Sequence, residues 1–196
     1  MRKIGVFGGS FNPIHIGHVA LARELCQSHM IDELWMLVSP LNPLKQGNPD
    51  IADYEERLEM ARLALKDDAS IKVSDFEATL PIPSYTYTTL HALANTYPED
   101  EFHLVIGADN WLQFGNWYRG EDIVKEFRIL MYARPGCDID IETLPASVTL
   151  VNTHLYDISS TLVRQRAANG LSLSGLVPPD VENYIKDKGL YQLQKT

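Results

Sequence analysis

Short apolar runs rich in β-forming residues alternate along this chain with longer segments whose apolar residues recur at helical spacing. That alternation is the strongest constraint on the fold. It predicts an α/β, doubly wound, mainly parallel sheet with helices on both faces. Strands are expected at Lys3–Gly8, Glu33–Ser39, Ser70–Asp75, Phe102–Ile106, Arg128–Ala133 and Val148–Asn152. Between them, helices are expected from Gly17 to about His29, over Tyr54–Lys66, from a Ser84 cap to about Tyr97, and near Glu121–Glu126. Ser159 opens a further helix to about Asn169, and a last one follows Pro178-Pro179. The whole chain, 1–196, reads as a single domain with a helical C-terminal portion from about residue 158.

In open sheets of this kind, ligands bind beyond the carboxyl ends of the strands. Four segments of unusual composition fall there: Gly8–His18, Ser39–Lys45, Gly107–Trp117 and Ile158–Arg164. The Pro40–Asp53 stretch, rich in Pro, Asn and Gly, reads as a substrate loop rather than a domain boundary. Charge restricts the ligand. With 17 Lys+Arg against 26 Asp+Glu, the net charge of -9 excludes an extended nucleic-acid track or an anionic membrane surface. The two cysteines, Cys26 and Cys137, form no CxxC pair, and no apolar run is long enough to span a bilayer. A cytoplasmic protein is expected, with no nucleic-acid and no membrane partner; a homo-oligomer is left open.

The first loop reads Gly8-Gly9-Ser10-Phe11-Asn12-Pro13-Ile14-His15-Ile16-Gly17-His18. It is neither a dinucleotide fingerprint nor a P-loop, because the glycine spacing is wrong and no Gly-Lys-[Ser/Thr] follows. Glycines let the backbone pass close to a ligand. The helix that opens at Gly17 offers unpaired N–H groups to an anion. His15 and His18 stand at that same helix end, where imidazoles can donate to phosphate oxygens as charge builds on them. Phosphate handling is the reading this combination supports. The motif Gly9-Ser10-Phe11-Asn12-Pro13 with His15-Ile16-Gly17-His18 resembles the nucleotidyltransferase signature GSFxPxHxGH.

At the other end of the chain, Ile158-Ser159-Ser160-Thr161-Leu162-Val163-Arg164 resembles that superfamily's ISSTxxR. Ser159 is a natural N-cap, Ser160 and Thr161 bring hydroxyls to a second positive helix end, and Arg164 is a fork-shaped donor for polyphosphate. Further segments resemble the bacterial nicotinate-nucleotide adenylyltransferase family. They are Pro43-Leu44-Lys45, Pro83-Ser84-Tyr85-Thr86, Gly107-Ala108-Asp109-Asn110, Asn116-Trp117-Tyr118, Arg134-Pro135-Gly136 and the closing Lys188-Gly189-Leu190-Tyr191. The resemblance spans essentially the whole chain and implies a Rossmann-like fold of the nucleotidylyl transferase type.

The resemblance also implies roles. His15, His18 and Arg164 would be catalytic. Gly8, Gly9, Ser10, Phe11, Gly107, Asp109, Ile158, Ser159 and Ser160 would bind ATP, with Asp109 facing the adenosine ribose. Ser84, Tyr85, Thr86, Trp117 and Tyr118 would hold the acceptor, nicotinate mononucleotide. Trp117 would stack on the pyridine ring, and main-chain amides near Thr86 and Tyr118 would take its carboxylate. Lys45 and Arg134 are assigned to the acceptor side, although each could equally be an ordinary solvated cation. Asn12 stands where many members carry Asp. Mg²⁺ would enter with the ATP phosphates, with no protein side chain as ligand. The implied reaction moves AMP from ATP to the acceptor's phosphate and releases pyrophosphate. It proceeds by direct in-line attack, since no arrangement for a covalent intermediate is present.

Overall fold

The computed structural model describes residues 1–40, 51–154 and 156–192. Its centre is a sheet of six strands: β1 (Arg2–Gly9), β2 (Glu33–Val38), β3 (Ile71–Ser74), β4 (Asp100–Gly107), β5 (Arg128–Tyr132) and β6 (Val148–Val151). They lie in the order β3-β2-β1-β4-β5-β6 and every pairing is parallel. The expected strands are all present, within a residue or two at their ends. The expectation of a mainly parallel sheet sharpens to a wholly parallel one among the described residues.

Among the described residues seven α-helices connect and follow the strands: α1 (Ile16–Gln27), α2 (Tyr54–Leu65), α3 (Thr86–Thr96), α4 (Ala108–Trp111), α5 (Gly120–Glu126), α6 (Ser160–Ala168) and α7 (Pro179–Lys188). The period of two along a strand sends successive side chains to opposite faces. On β2, Leu34, Met36 and Val38 join the core under α1, α2 and α7, while Trp35 and Leu37 join the core under α3 and α5. Both faces are therefore apolar, as an all-parallel sheet requires. The helix α7 shows how sequence punctuates such elements: Pro179 starts it, and Gly189, at φ 62°, ends it with Leu190 N–H donating to Ile185 O at 3.0 Å.

Two expected helix starts differ in detail. Ser84 is not the cap of α3: Tyr85 takes that position with no side-chain bond, and Ser84 is buried instead. Likewise α1 begins at Ile16 with His15 as its N-cap, one residue ahead of Gly17. Ser159 does cap α6, its hydroxyl oxygen accepting from Leu162 N–H at 3.2 Å. The strand order reverses between β1 and β4, so the crevice at their carboxyl ends is the switch point where such sheets bind ligands. Gly9 ends β1 there, and Gly107 ends β4.

Candidate active site

The first loop leaves β1 through Gly8 and Gly9. A Cβ at Gly8 would meet open space, whereas one at Gly9 would lie 3.0 Å from the Phe11 ring. Phe11 has φ 45°, and its side chain is buried in the core. There it meets the rings of Phe7, at 5.5 Å, and His18, at 5.1 Å, both edge-on. Its function is to back His18.

His15 and His18 stack with ring centroids 3.6 Å apart. His18 Nδ1 accepts from the His15 main-chain N–H at 3.3 Å. In a neutral imidazole an accepting Nδ1 leaves the proton on Nε2, so the bond fixes His18 as an Nε2–H donor. His15 is only 4% exposed, and its Nδ1 is buried without a hydrogen-bond partner. Burial, with Arg134 nearby, lowers its pKa to about 4. His15 is therefore neutral near pH 7. In the first turn of α1, the Leu176 carbonyl takes the Ile16 N–H, and the His15 carbonyl takes those of His18 and Val19. The Gly17 N–H is left on the cleft wall, which His15, His18, Tyr132, Arg134, Tyr156 and Ile158 also line.

That titration carries a sign. A His whose folded pKa lies below its unfolded value of 6.5 disfavours the fold once protons are available. Its cost is absent above pH 6.5, grows as pH falls toward 4, and levels off below that. A shift of this size corresponds to about 3 kcal/mol of stability lost on acidification. Denaturant unfolding of the parent and of His15→Asn between pH 7 and 4 should show the parent losing stability more steeply. Parallel curves would refute it. Glu77, whose pKa burial raises, works in the opposite direction and is common to both proteins.

The second motif closes directly onto the first loop. Ser160 Oγ donates to Pro13 O at 2.9 Å, and Arg164 Nη1 donates to Asn12 O at 2.9 Å. The pairing of motifs read from opposite ends of the chain is thus a pair of hydrogen bonds. The Ser160 hydroxyl proton is spent on that tie, so Ser160 holds the loop. Arg164 Nη2 also reaches Thr161 Oγ1 at 3.3 Å, so these bonds use only part of a fork that carries five N–H donors. Asn12 Oδ1 accepts from Ala52 N–H at 3.0 Å and from the Tyr191 hydroxyl at 2.8 Å. An Asp carboxylate could accept the same two bonds, which explains why Asn serves where Asp is common.

Arg134, expected on the acceptor side, lies next to residues expected at ATP. It lines the cleft beside His15, His18 and Ile158, and its Nε lies 3.5 Å from Asp109 Oδ1. The pair is an ion contact rather than a hydrogen bond, since the buried Nε makes none. A Cβ at Gly107 would lie 2.3 Å from Asp109 Oδ1, so a larger residue there would push the Asp109 carboxylate aside. On the other side of β4, Tyr85 and Tyr118 rings meet at 4.9 Å, and the Arg119 guanidinium covers Tyr87 at 4.1 Å. Trp117 leans on Phe114 at 4.8 Å, and Phe114 stacks on Trp111 at 5.3 Å. Trp111, missed in the sequence reading, therefore supports Trp117 through an intermediate ring. Thr86 opens α3, whose first turn has neither a capping side chain nor an acidic residue. Lys45 lies outside the described residues. Among the described residues no group of three His, Cys, Asp or Glu could hold a metal ion, and no helix is long and apolar enough to cross a membrane.

A parallel sheet with two helix N-termini converging on a glycine-rich loop and paired histidines is the architecture of a nucleotidyltransferase. The cytidylyltransferase-like family model matches residues 6–166. A probable nicotinate-nucleotide adenylyltransferase of Bacteroides thetaiotaomicron is 46% identical over 94% of this chain and 91% of its own length. Another, from Flavobacterium psychrophilum, is 36% identical over 97% of this chain and 99% of its own. The chain belongs to the nicotinate-nucleotide adenylyltransferase family. Its fold matches that of the Plasmodium falciparum nicotinic acid mononucleotide adenylyltransferase complexed with NaAD, with a TM-score of 0.84 over 97% of this chain and 98% of that one. Sequence identity in that alignment is 21%.

Proposed function

We infer that this enzyme transfers AMP from ATP to nicotinate mononucleotide, forming nicotinate adenine dinucleotide and pyrophosphate for NAD biosynthesis. The observation that carries the reading is the tie between the two motifs: Arg164 and Ser160 bond the Asn12 and Pro13 carbonyls beside the stacked histidines. That gathers a guanidinium, an Nε2–H donor and two helix N-termini at one cleft, which suits a triphosphate. The relatives supply the acceptor.

The acceptor's phosphate oxygen is already a nucleophile, so no general base is needed. It attacks the α-phosphorus in line, and the bond to the leaving pyrophosphate breaks. Catalysis is positioning and neutralisation of phosphate repulsion. ATP enters as its magnesium complex, the ion bound by the phosphates themselves. His18, through Nε2–H, and Arg164 meet the charge that grows on the phosphate oxygens. Gly107 and Asp109 face the nucleoside of ATP, and Arg134 orients Asp109. Trp117 offers the acceptor ring a flat face.

The uncapped first turn of α3 suits the acceptor's carboxylate, because helix N–H groups and the dipole both favour an anion. Two charge-assisted bonds to a carboxylate exceed those to a neutral amide by about 1 kcal/mol or more each, so kcat/KM should favour nicotinate over nicotinamide mononucleotide at least ~30-fold. Pyrophosphate release from Mg–ATP with each acceptor measures it. Absence of product with both would remove the functional reading, and equal rates would remove the carboxylate contact.

A further inference from the structure

Beneath both halves of the site runs a buried polar chain that no part of the reaction above uses. Arg57, on α2, is 2% exposed. Its guanidinium donates to four main-chain carbonyls: Nε to Ala52 at 3.0 Å, Nη1 to Ser10 at 2.7 Å and Ser39 at 2.8 Å, and Nη2 to Pro40 at 3.0 Å. Burying a guanidinium is costly, and a well-packed apolar side chain would stabilise a core as well or better. What the charge does provide is a rigid fork that sets several backbone segments relative to one another.

Ser39 is the pivot. Its N–H donates to Gly9 O at 2.9 Å, its carbonyl accepts from Arg57, and its hydroxyl lies close enough to the Glu77 carboxyl to favour the ionised form. Glu77 is itself buried. It accepts from Thr89 Oγ1 at 2.9 Å, and the Ser84 hydroxyl lies near enough to favour its ionised form. Thr89 lies in the first turns of α3, and Ser84 lies just ahead of it. The continuous path is therefore Ser10, Arg57, Ser39, Glu77, then Ser84 and Thr89. One end holds the loop that faces the phosphates of ATP, and the other holds the helix start that faces the acceptor's carboxylate.

We propose that Arg57, Ser39 and Glu77 are positioning residues that set the separation and tilt between the ATP loop and the acceptor cradle. The proposal rests on the two-substrate reading above. In-line transfer needs the reacting atoms held near attack distance, and a misplacement of about 1 Å costs on the order of 100-fold. A frame joining the two half-sites through hydrogen bonds is a direct means of holding that distance.

The test compares parent, Ser39→Ala, Glu77→Gln, the double variant Ser39→Ala/Glu77→Gln and Arg57→Lys. It measures kcat, both Michaelis constants and thermal unfolding. Product from the parent enzyme establishes the reaction independently of the variants. Ser39→Ala removes only the hydroxyl link and leaves the carbonyl for Arg57. It should lower kcat roughly 10- to 100-fold, with both Michaelis constants within about threefold of the parent. Glu77→Gln should do the same. The double variant should be no slower than the slower single, since both changes cut the same link. Arg57→Lys should be slower still, because one ammonium cannot replace a fork that bridges four carbonyls; if it fails to fold, the other three decide the question. Folded variants with the parent's kcat would overturn the proposal. So would single-variant losses that simply add in the double.

Discussion

A His18→Ala enzyme is expected to turn over on the order of 100- to 1000-fold more slowly than the parent, with its unfolding temperature nearly unchanged. The size follows from geometry. His18 is held from three directions: stacked on His15, met edge-on by Phe11, and bonded through Nδ1 to the His15 N–H. A donor that needs no reorganisation at the moment of reaction contributes more than a mobile one. The stability cost is small, because the ring is only partly buried and the bond it accepts lies at a helix end. His18→Gln, whose amide can donate but is held by nothing comparable, should recover only part of the rate. Single-turnover measurements at saturating substrates read the chemical step directly. A His18→Ala enzyme at the parent's rate would remove His18 from the mechanism.

Loss of Arg164 should be nearly as severe but should divide differently between binding and chemistry. The guanidinium joins the first loop through the Asn12 carbonyl and keeps donors for the polyphosphate. Losing one or two charge-assisted bonds of roughly 1.5–3 kcal/mol each lowers kcat/KM for ATP by roughly 10- to 1000-fold. The Michaelis constant for the acceptor should move little. Arg164→Lys keeps the charge but cannot both reach Asn12 and fork onto phosphate, so it should restore less than half of that loss in free energy. Equal activity of Lys and Arg at this position would show that charge alone matters.

Much of this was legible in the residues. The alternation of apolar runs and helical segments gave the strands, because a strand buried on both faces leaves a continuous apolar signature. The two motifs pointed to each other, and the fold does bond them together, since glycines, imidazoles and hydroxyls at helix starts are unusual enough in combination to stand out. Arg57, by contrast, reads in sequence as one more charge in an amphipathic helix. Only the approach of Ser10, Ser39, Pro40 and Ala52, brought together by the fold, makes it a hub. Glu77 was hidden in the same way, being an acid in a short turn whose partners come from β2, α3 and the turn before α3. The neighbour of Arg134 was hidden too, because Asp109 follows a different strand. Local signals mark what binds; long-range contacts decide what holds the binder in place.

The bonds that close the first loop have a consequence for synthesis. Asn12 is synthesised 179 residues before Tyr191, whose hydroxyl fastens its side chain. At about 5–20 residues per second, that interval is roughly 10 to 35 seconds. Throughout it, the nascent chain can pair β1 with β2 and pack α1, but its first loop lacks the clasp from Tyr191.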